Sequence, residues 1–358
     1  MTPACARQQS GVRDAAGAFR CVWSAWASTR AASAALIVLG SYVSDPPLWL
    51  GVANLSMHDG RWYEGIALRE YPNDNVALQQ SGYPFFPAFT WLLKAVAALG
   101  LSYDLAGPAV AMGAFGLGLW GTYRLASRHA SVRVACLSVW ALVLFPMSAV
   151  HSMAYPSSLV LAATVWSLDF ADRGRDGTAG VLAAVACLSR PNGLAVAAAL
   201  GVTAGSWRRA WPLAGPSVAA LAGWMLALWW WTGNPFVFIT DKAAWNETSL
   251  LEAVTLRSAY ASAYVHLVVA SVGLLPVALA WRLLPRAWLV LVVAYVLPSL
   301  VFGVVGVGRT VAECAPVFIA VAMLLDATST RTRTMYFTVA GGAAIAVTIA
   351  FAVHAVLP

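Results

Sequence analysis

Three basic residues stand where apolar runs break or end: Arg190 before Pro191, Lys242 in the loop after Thr232, and Arg309 after Gly303, Gly306 and Gly308. An arginine in such a place suits a phosphate, because its planar fork donates two parallel hydrogen bonds. The alternative is that each side chain snorkels to a membrane interface. Arg190 lies midway through an apolar stretch, where an unpaired charge is costly, and this favours a functional role for it.

Polar chemistry collects most densely in MHDGRWYEGIALREYPNDNVALQQSGYPFFPAF, from Met57 to Phe89. Asp59, Glu64, Glu70 and Asp74 occur there with Trp62, Tyr63, Tyr71 and Tyr83. Trp62, Ile66 and Tyr63 recur at helical spacing, which predicts a short amphipathic helix at an interface with Asp59 at its start. A plainer account makes Asp59 an N-cap and the aromatics interfacial anchors. A second cluster, Asp241, Lys242, Trp245, Asn246, Glu247 and Arg257, reads mostly as a solvated loop, with a glycosylation acceptor pattern at Asn246 to Thr248. His58 and His151 have no nearby carboxylate set and make a weak metal case. No phosphate-cradling glycine loop, nucleophile elbow or metal-ligand motif is present, and without a D-x-D pair in the first loop an obligatory divalent metal is not expected.

The elements that must position these residues are membrane helices. Of the 358 residues, 60% are hydrophobic and 10% charged, and the mean hydropathy is +0.72. That composition excludes a soluble domain. Apolar runs of about 16 to 24 residues recur, matching the roughly 20 that a helix needs to cross a bilayer, and they lack the alternation of a β-barrel. The net charge of +7 reflects where Lys and Arg sit around the spans and gives no support to nucleic-acid binding. Cys5, Cys21, Cys136, Cys187 and Cys314 show no paired spacing and read as small buried apolar residues.

The positive-inside rule orients the chain. Residues 1–30, with Arg7, Arg13, Arg20 and Arg30, form a cytoplasmic tail ahead of an uncleaved anchor, and 31–358 form a single transmembrane unit. Residues 51–84 and 233–260 are then external loops. Spans near 105–125, 134–150, 156–171, 210–232, 261–281, 288–306, 310–325 and 335–356 follow, with 85–100 only partly embedded. The run 178–205 is broken at Arg190, Pro191, Asn192 and Gly193 into two half-helices with an external apex. The total is about 11 crossings, an all-α polytopic membrane protein. Arg61, Arg69, Lys94, Arg190, Lys242, Arg257 and Arg309 fall outside the cytoplasmic set and are expected to face something anionic.

Taken together, the motifs resemble the GT-C membrane glycosyltransferases that take sugars from polyprenyl phosphates, and within them the GPI mannosyltransferase II (PIG-V) family. Asp59, Tyr63, Ile66, Ala67 and Tyr71 match that family's W-D-x-x-x-Y/F-x-x-I-A-x-x-G-Y element, and Phe85, Phe86, Pro87 and Phe89 its F-F-P-x-Y-P element. Phe145 and Pro146, then Tyr155, Ser158 and Leu159, follow F-P and Y-T/S-E-S-L. Leu188, Arg190, Pro191, Gly193 and Leu194 match L-T-R-P-x-G-L, and Gly308, Arg309 and Pro316 resemble a late G-R-Y…P element. The order is kept over most of the chain. Departures are His58 for Trp, Glu70 for Gly, Ala88 and Thr90 within the F-F-P element, and Ser157 for Glu.

The resemblance implies a GT-C-like bundle and an inverting transfer of a hexose, mannose by the family's habit, to a lipid-linked or glycan acceptor on the external face of a bacterial plasma or inner membrane. It implies Asp59 as general base, Arg190, Arg309 and Lys242 as phosphate ligands, and His58, Trp62, Tyr63 and Tyr155 near the substrates. The donor is a substrate, and no cofactor is implied. Two other readings stay open: a transporter or flippase, which predicts paired repeats that the sequence does not display, and a catalytically silent subunit, which Ser157 keeps in view.

Overall fold

The computed structural model describes residues 3–44, 52–71, 80–242, 249–255 and 261–356. Asp74, Trp245, Asn246, Glu247, Thr248 and Arg257 lie outside the described residues, as do the side chains of Cys5, Arg7 and Arg13. The described chain is helical and forms no strand.

The first helix, α1 (Pro3–Ser44), runs straight through residue 30. Arg30 is 2% exposed, inside the bundle and not in a tail. Its Nη1 donates to the Ser148 carbonyl at 2.7 Å and Ser152 Oγ at 2.9 Å, and its Nη2 donates to Ser148 Oγ at 2.8 Å. Three acceptors and the Phe115 ring, 4.7 Å from the guanidinium carbon, replace the water that a buried arginine loses.

The short helix α2 (Asp59–Arg69) leads to α3 (Pro87–Ala97), α4 (Tyr103–His129) and α5 (Val132–Val143). A 3₁₀ segment, Pro146–Ser152, is bent 81° from α5, so the expected span 134–150 is broken where Pro146 cannot continue the helix. Then come α6 (Ser157–Asp172), α7 (Asp176–Ser189), α8 (Leu194–Ala204) and α9 (Trp207–Thr232). The chain continues through α10 (Val237–Thr240), α11 (Leu250–Val254), α12 (Ala261–Leu279) and α13 (Arg286–Phe302). It closes with α14 (Val307–Ala312), α15 (Ala315–Asp326) and α16 (Thr330–Ala352).

Five described helices are long and apolar enough to cross a membrane, six if the bent pair counts as one span. The expected count of about 11 is therefore not matched by helix length. Proline and glycine breaks leave α7, α8, α13 and α15 as shorter apolar helices.

Membrane depth is marked on α9 itself. Trp207 and Trp211 near its start and Trp229 and Trp230 near its end are exposed. The rise from Trp211 to Trp229 is about 27 Å at about 1.5 Å per residue, close to a hydrocarbon core of about 30 Å. Tryptophans at both limits of an apolar helix are interfacial anchors.

Charges sort between the two ends of this slab. At the end where α9 begins, Arg209 Nε meets Asp176 Oδ2 at 2.9 Å, His129 Nε2 meets Asp172 Oδ2 at 2.7 Å and Arg133 Nε meets Asp326 Oδ1 at 3.0 Å. Arg124, Arg128 and Arg173 converge there on Asp169, whose side chain is fully buried. These are arginines that the sequence places together on the cytoplasmic side. Near the same end of α1 the cysteine reading needs correction. Cys21 and Cys136 are joined as a disulfide between α1 and α5, a pairing across 115 residues that spacing could not reveal; Cys187 and Cys314 are buried thiols.

Candidate active site

At the other end of the bundle, α2 lies across α3 and α4. Tyr63, Ile66 and Ala67 are buried against Phe85, Phe89, Leu93, Ala106 and Ala111, the apolar face that the helical spacing predicts. Tyr63 meets the rings of Phe85 and Phe89 edge-on at 5.1 Å each, and Trp62 stacks on Phe85 at 5.6 Å. Tyr63 is 4% exposed, so its ring packs the helix down and offers no open face to a sugar.

Asp59 is the first residue of α2, and the N-cap position belongs to His58, which makes no side-chain cap bond. The Asp59 carboxylate turns away from its own helix: Oδ2 accepts from Arg309 Nη1 at 2.7 Å. The plain N-cap account of Asp59 is thus not what the geometry gives. Its backbone N–H donates to the Tyr155 hydroxyl at 3.1 Å, and the Tyr155 ring lies 5.2 Å beneath the Arg309 guanidinium carbon. Tyr155 is fully buried and fixes the position of both ionic partners.

Arg309 is carried by α14, whose first residue follows Gly306 at φ 102°, a conformation that favours glycine. The expected span 310–325 is in fact α14 and α15 separated by Glu313 and Cys314. Glu313, one turn after Arg309, is 1% exposed. It accepts from the Tyr295 hydroxyl and pairs with Arg190 Nη1 at 3.1 Å through Oε1.

Arg190 reaches Glu313 because of the break between α7 and α8. Pro191 forces the residue before it out of helical geometry, and Arg190 has φ −156° and ψ 146°. Asn192 holds the break by donating to the Tyr295 carbonyl at 3.0 Å and Ser299 Oγ at 3.3 Å. A β-carbon on Gly193 would lie 2.2 Å from the Ala186 carbonyl oxygen, so only glycine lets the chain fold back this closely. The expected pair of half-helices is present.

Two carboxylates and two guanidiniums from three distant segments are therefore gathered at one end of the bundle. Of the basic residues expected to face an anion, Arg190 and Arg309 find Glu313 and Asp59, and Lys94 finds Glu70 at 3.1 Å. The pairs at Asp59 and Glu313 are made without Lys242. Its neighbour Asp241 is buried and accepts from Ser81, so this part of the second loop is packed and not solvated. His58 has φ 54°, and its ring lies 5.1 Å from that of His354. Burial and the neighbouring His354 hold the His58 imidazolium down to about 4. Ser157, where the resembled family has Glu, is fully buried, and its hydroxyl has no partner among the described residues. His151 stacks on Phe115 at 4.2 Å and contacts Ser158 Oγ at 3.1 Å. Among the described residues, no three His, Cys, Asp or Glu side chains gather as metal ligands.

Glu313 and Tyr295 escaped the sequence reading. A lone acid inside an apolar run was the available signal for Glu313; Tyr295 offered none, since tyrosine is ordinary in such helices.

No protein-family model matches the sequence, and no curated protein matches it. Solved structures do. ArnT from Cupriavidus metallidurans bound to undecaprenyl phosphate aligns with a TM-score of 0.52 at 17% identity, over 86% of this chain and 62% of that one. The Archaeoglobus fulgidus oligosaccharyltransferase in complex with Zn and sulfate aligns with a TM-score of 0.50 at 14% identity, over 92% of this chain and 52% of that one. The chain thus spans between half and two thirds of the length of these proteins. At such identity the likeness is one of fold, and the chain shares the fold of these two proteins.

Proposed function

We propose that this protein is an inverting glycosyltransferase that moves a hexose from a polyprenyl-phosphate-sugar to a lipid-linked or glycan acceptor. The observation that carries the reading is the Asp59–Arg309 pair beside Arg190 at one end of a GT-C bundle. In the proposed reaction, Asp59 accepts the proton of the acceptor hydroxyl as that oxygen attacks the anomeric carbon. The bond to the polyprenyl phosphate breaks on the opposite face, so a single displacement inverts the centre. Negative charge then grows on the leaving phosphate, where Arg309 and Arg190 supply fixed positive partners. Tyr155 keeps Asp59 and Arg309 in register.

Mannose as the sugar, and a PIG-V-like place within the superfamily, rest on the motif resemblance. The arginine-rich end of the bundle supports a cytoplasmic assignment for that end and an external one for the site.

The test is sugar transfer from polyprenyl-phosphate-mannose in membranes bearing wild type or Asp59→Asn at matched expression. Loss of a general base should lower transfer by about 10²- to 10⁴-fold. Equal transfer by both would remove Asp59 from the chemistry. No transfer by wild type, across several donors and acceptors, would overturn the assignment.

A further inference from the structure

The two arginines at the site, 16% and 15% exposed, have unequal partners. Glu313 is a closed partner: its side chain is 0% exposed, and it takes both Arg190 and Tyr295. Asp59 is an open one. Its side chain is 29% exposed, that of Arg309 is 15% exposed, and one hydrogen bond joins them. Among the described residues Arg309 also keeps a buried Nε with no acceptor, a donor left over once Asp59 has been served. Its guanidinium rests on the Tyr155 ring, a flat support that a planar cation can slide across while keeping its attraction to the π face. Tyr155 meanwhile holds Asp59 through the backbone, independently of Arg309.

In this arrangement the carboxylate read as the base has Oδ2 occupied. A phosphate has the charge and the several acceptor oxygens to take Arg309 away, and could satisfy the idle Nε as well. We infer that Arg309 is exchanged between Asp59 and the donor phosphate, so that Asp59 is freed to accept a proton only once the donor is seated. Arg190, paired with the fully buried Glu313, is the fixed contact to the same phosphate. Binding is then ordered, donor before activated acceptor. This inference rests on the site being the polyprenyl-phosphate site proposed above.

The exchange makes an unusual demand: removing the carboxylate should strengthen binding of the phosphate, because Arg309 no longer has a competitor. The experiment is binding of undecaprenyl phosphate, without sugar, to the purified full chain in nanodiscs. Wild type, Asp59→Asn, Arg309→Gln and the double variant are compared, with thermal unfolding of each to confirm folding. Asp59→Asn should bind about three- to tenfold more tightly than wild type, and the same substitution should have no effect in the Arg309→Gln background. Should Asp59→Asn not fold, Asp59→Ser carries the same expectation.

Unchanged or weaker binding by the Asp59 variants overturns the exchange. So does a gain that survives intact in Arg309→Gln, because it would be a long-range charge effect. In either case wild type still binds, and the proposed function stands. Absence of binding by wild type overturns both.

Discussion

Replacing Glu313 by alanine would strand two buried groups at once, the Arg190 guanidinium and the Tyr295 hydroxyl. The carboxylate is 0% exposed and Arg190 16% exposed, so water cannot readily substitute for either partner. Breaking a buried ion pair from one side costs about 3–5 kcal/mol. An orphaned buried hydroxyl adds about 1–3 kcal/mol. Glu313→Ala should therefore lower unfolding stability by about 4 kcal/mol or more. Glu313→Gln, which keeps an acceptor for Tyr295, should fall between the two. The double variant Glu313→Leu/Arg190→Met, which removes both charges together, should recover the ion-pair part of the loss and leave that of the Tyr295 hydroxyl. The assay is denaturant unfolding of purified protein in mild detergent, read as a double-variant cycle. Single-variant losses below about 1 kcal/mol, the range of a solvated surface pair, would refute the claim that Glu313 closes off Arg190.

Gly193→Ala would drive a methyl into the Ala186 carbonyl, and it should cost about 1–3 kcal/mol and weaken polyprenyl phosphate binding through displaced Arg190, measured by unfolding and by binding. Because the folded state holds the His58 imidazolium down to about 4 while the unfolded chain protonates near about 6.5, the His58 contribution is complete above about pH 6.5 and is lost as pH falls towards about 4. His58→Gln should flatten that loss in unfolding temperatures recorded across the window. Cys21→Ser, which opens a loop of 115 residues, should reduce stability by about 2–4 kcal/mol, and reductant should do the same to wild type and nothing further to the variant.

Much of the site was legible in the sequence because its residues break local rules. Arg190 in an apolar run, followed by proline and glycine, announces a charged helix break. The periodicity of Tyr63 and Ile66 announces α2 and its buried face. What stayed hidden is pairing across distance. Nothing in the order of residues says that Asp59 will meet Arg309, or that Arg190 will already hold a carboxylate. Tyr63, expected near the substrates, is instead packed against Phe85 and Phe89. Arg30 read as a tail charge since hydropathy places a boundary at the first arginine it meets, whereas Ser148, Ser152 and Phe115 let the helix carry that charge into the bundle. Helix lengths were hard to read for a related reason: hydropathy registers apolar length but not the 81° bend at Pro146.

The long separation between partners also bears on how the protein is made. Asp59 and Arg309 are 250 residues apart, and Arg190 is synthesised well before Glu313. When the hairpin of α7 and α8 leaves the ribosome, its arginine has no counter-charge, and in bare hydrocarbon this costs about 2.5–3.5 kcal/mol. The hairpin should therefore linger at the membrane surface or beside the insertion machinery until α14 arrives. A chain stopped before residue 307 would keep most of its helices yet lack both partners, Arg309 for Asp59 and Glu313 for Arg190. Arrival of α14 is then the event that commits the nascent bundle, and quality control that senses unpaired charge in the bilayer would discriminate at that step.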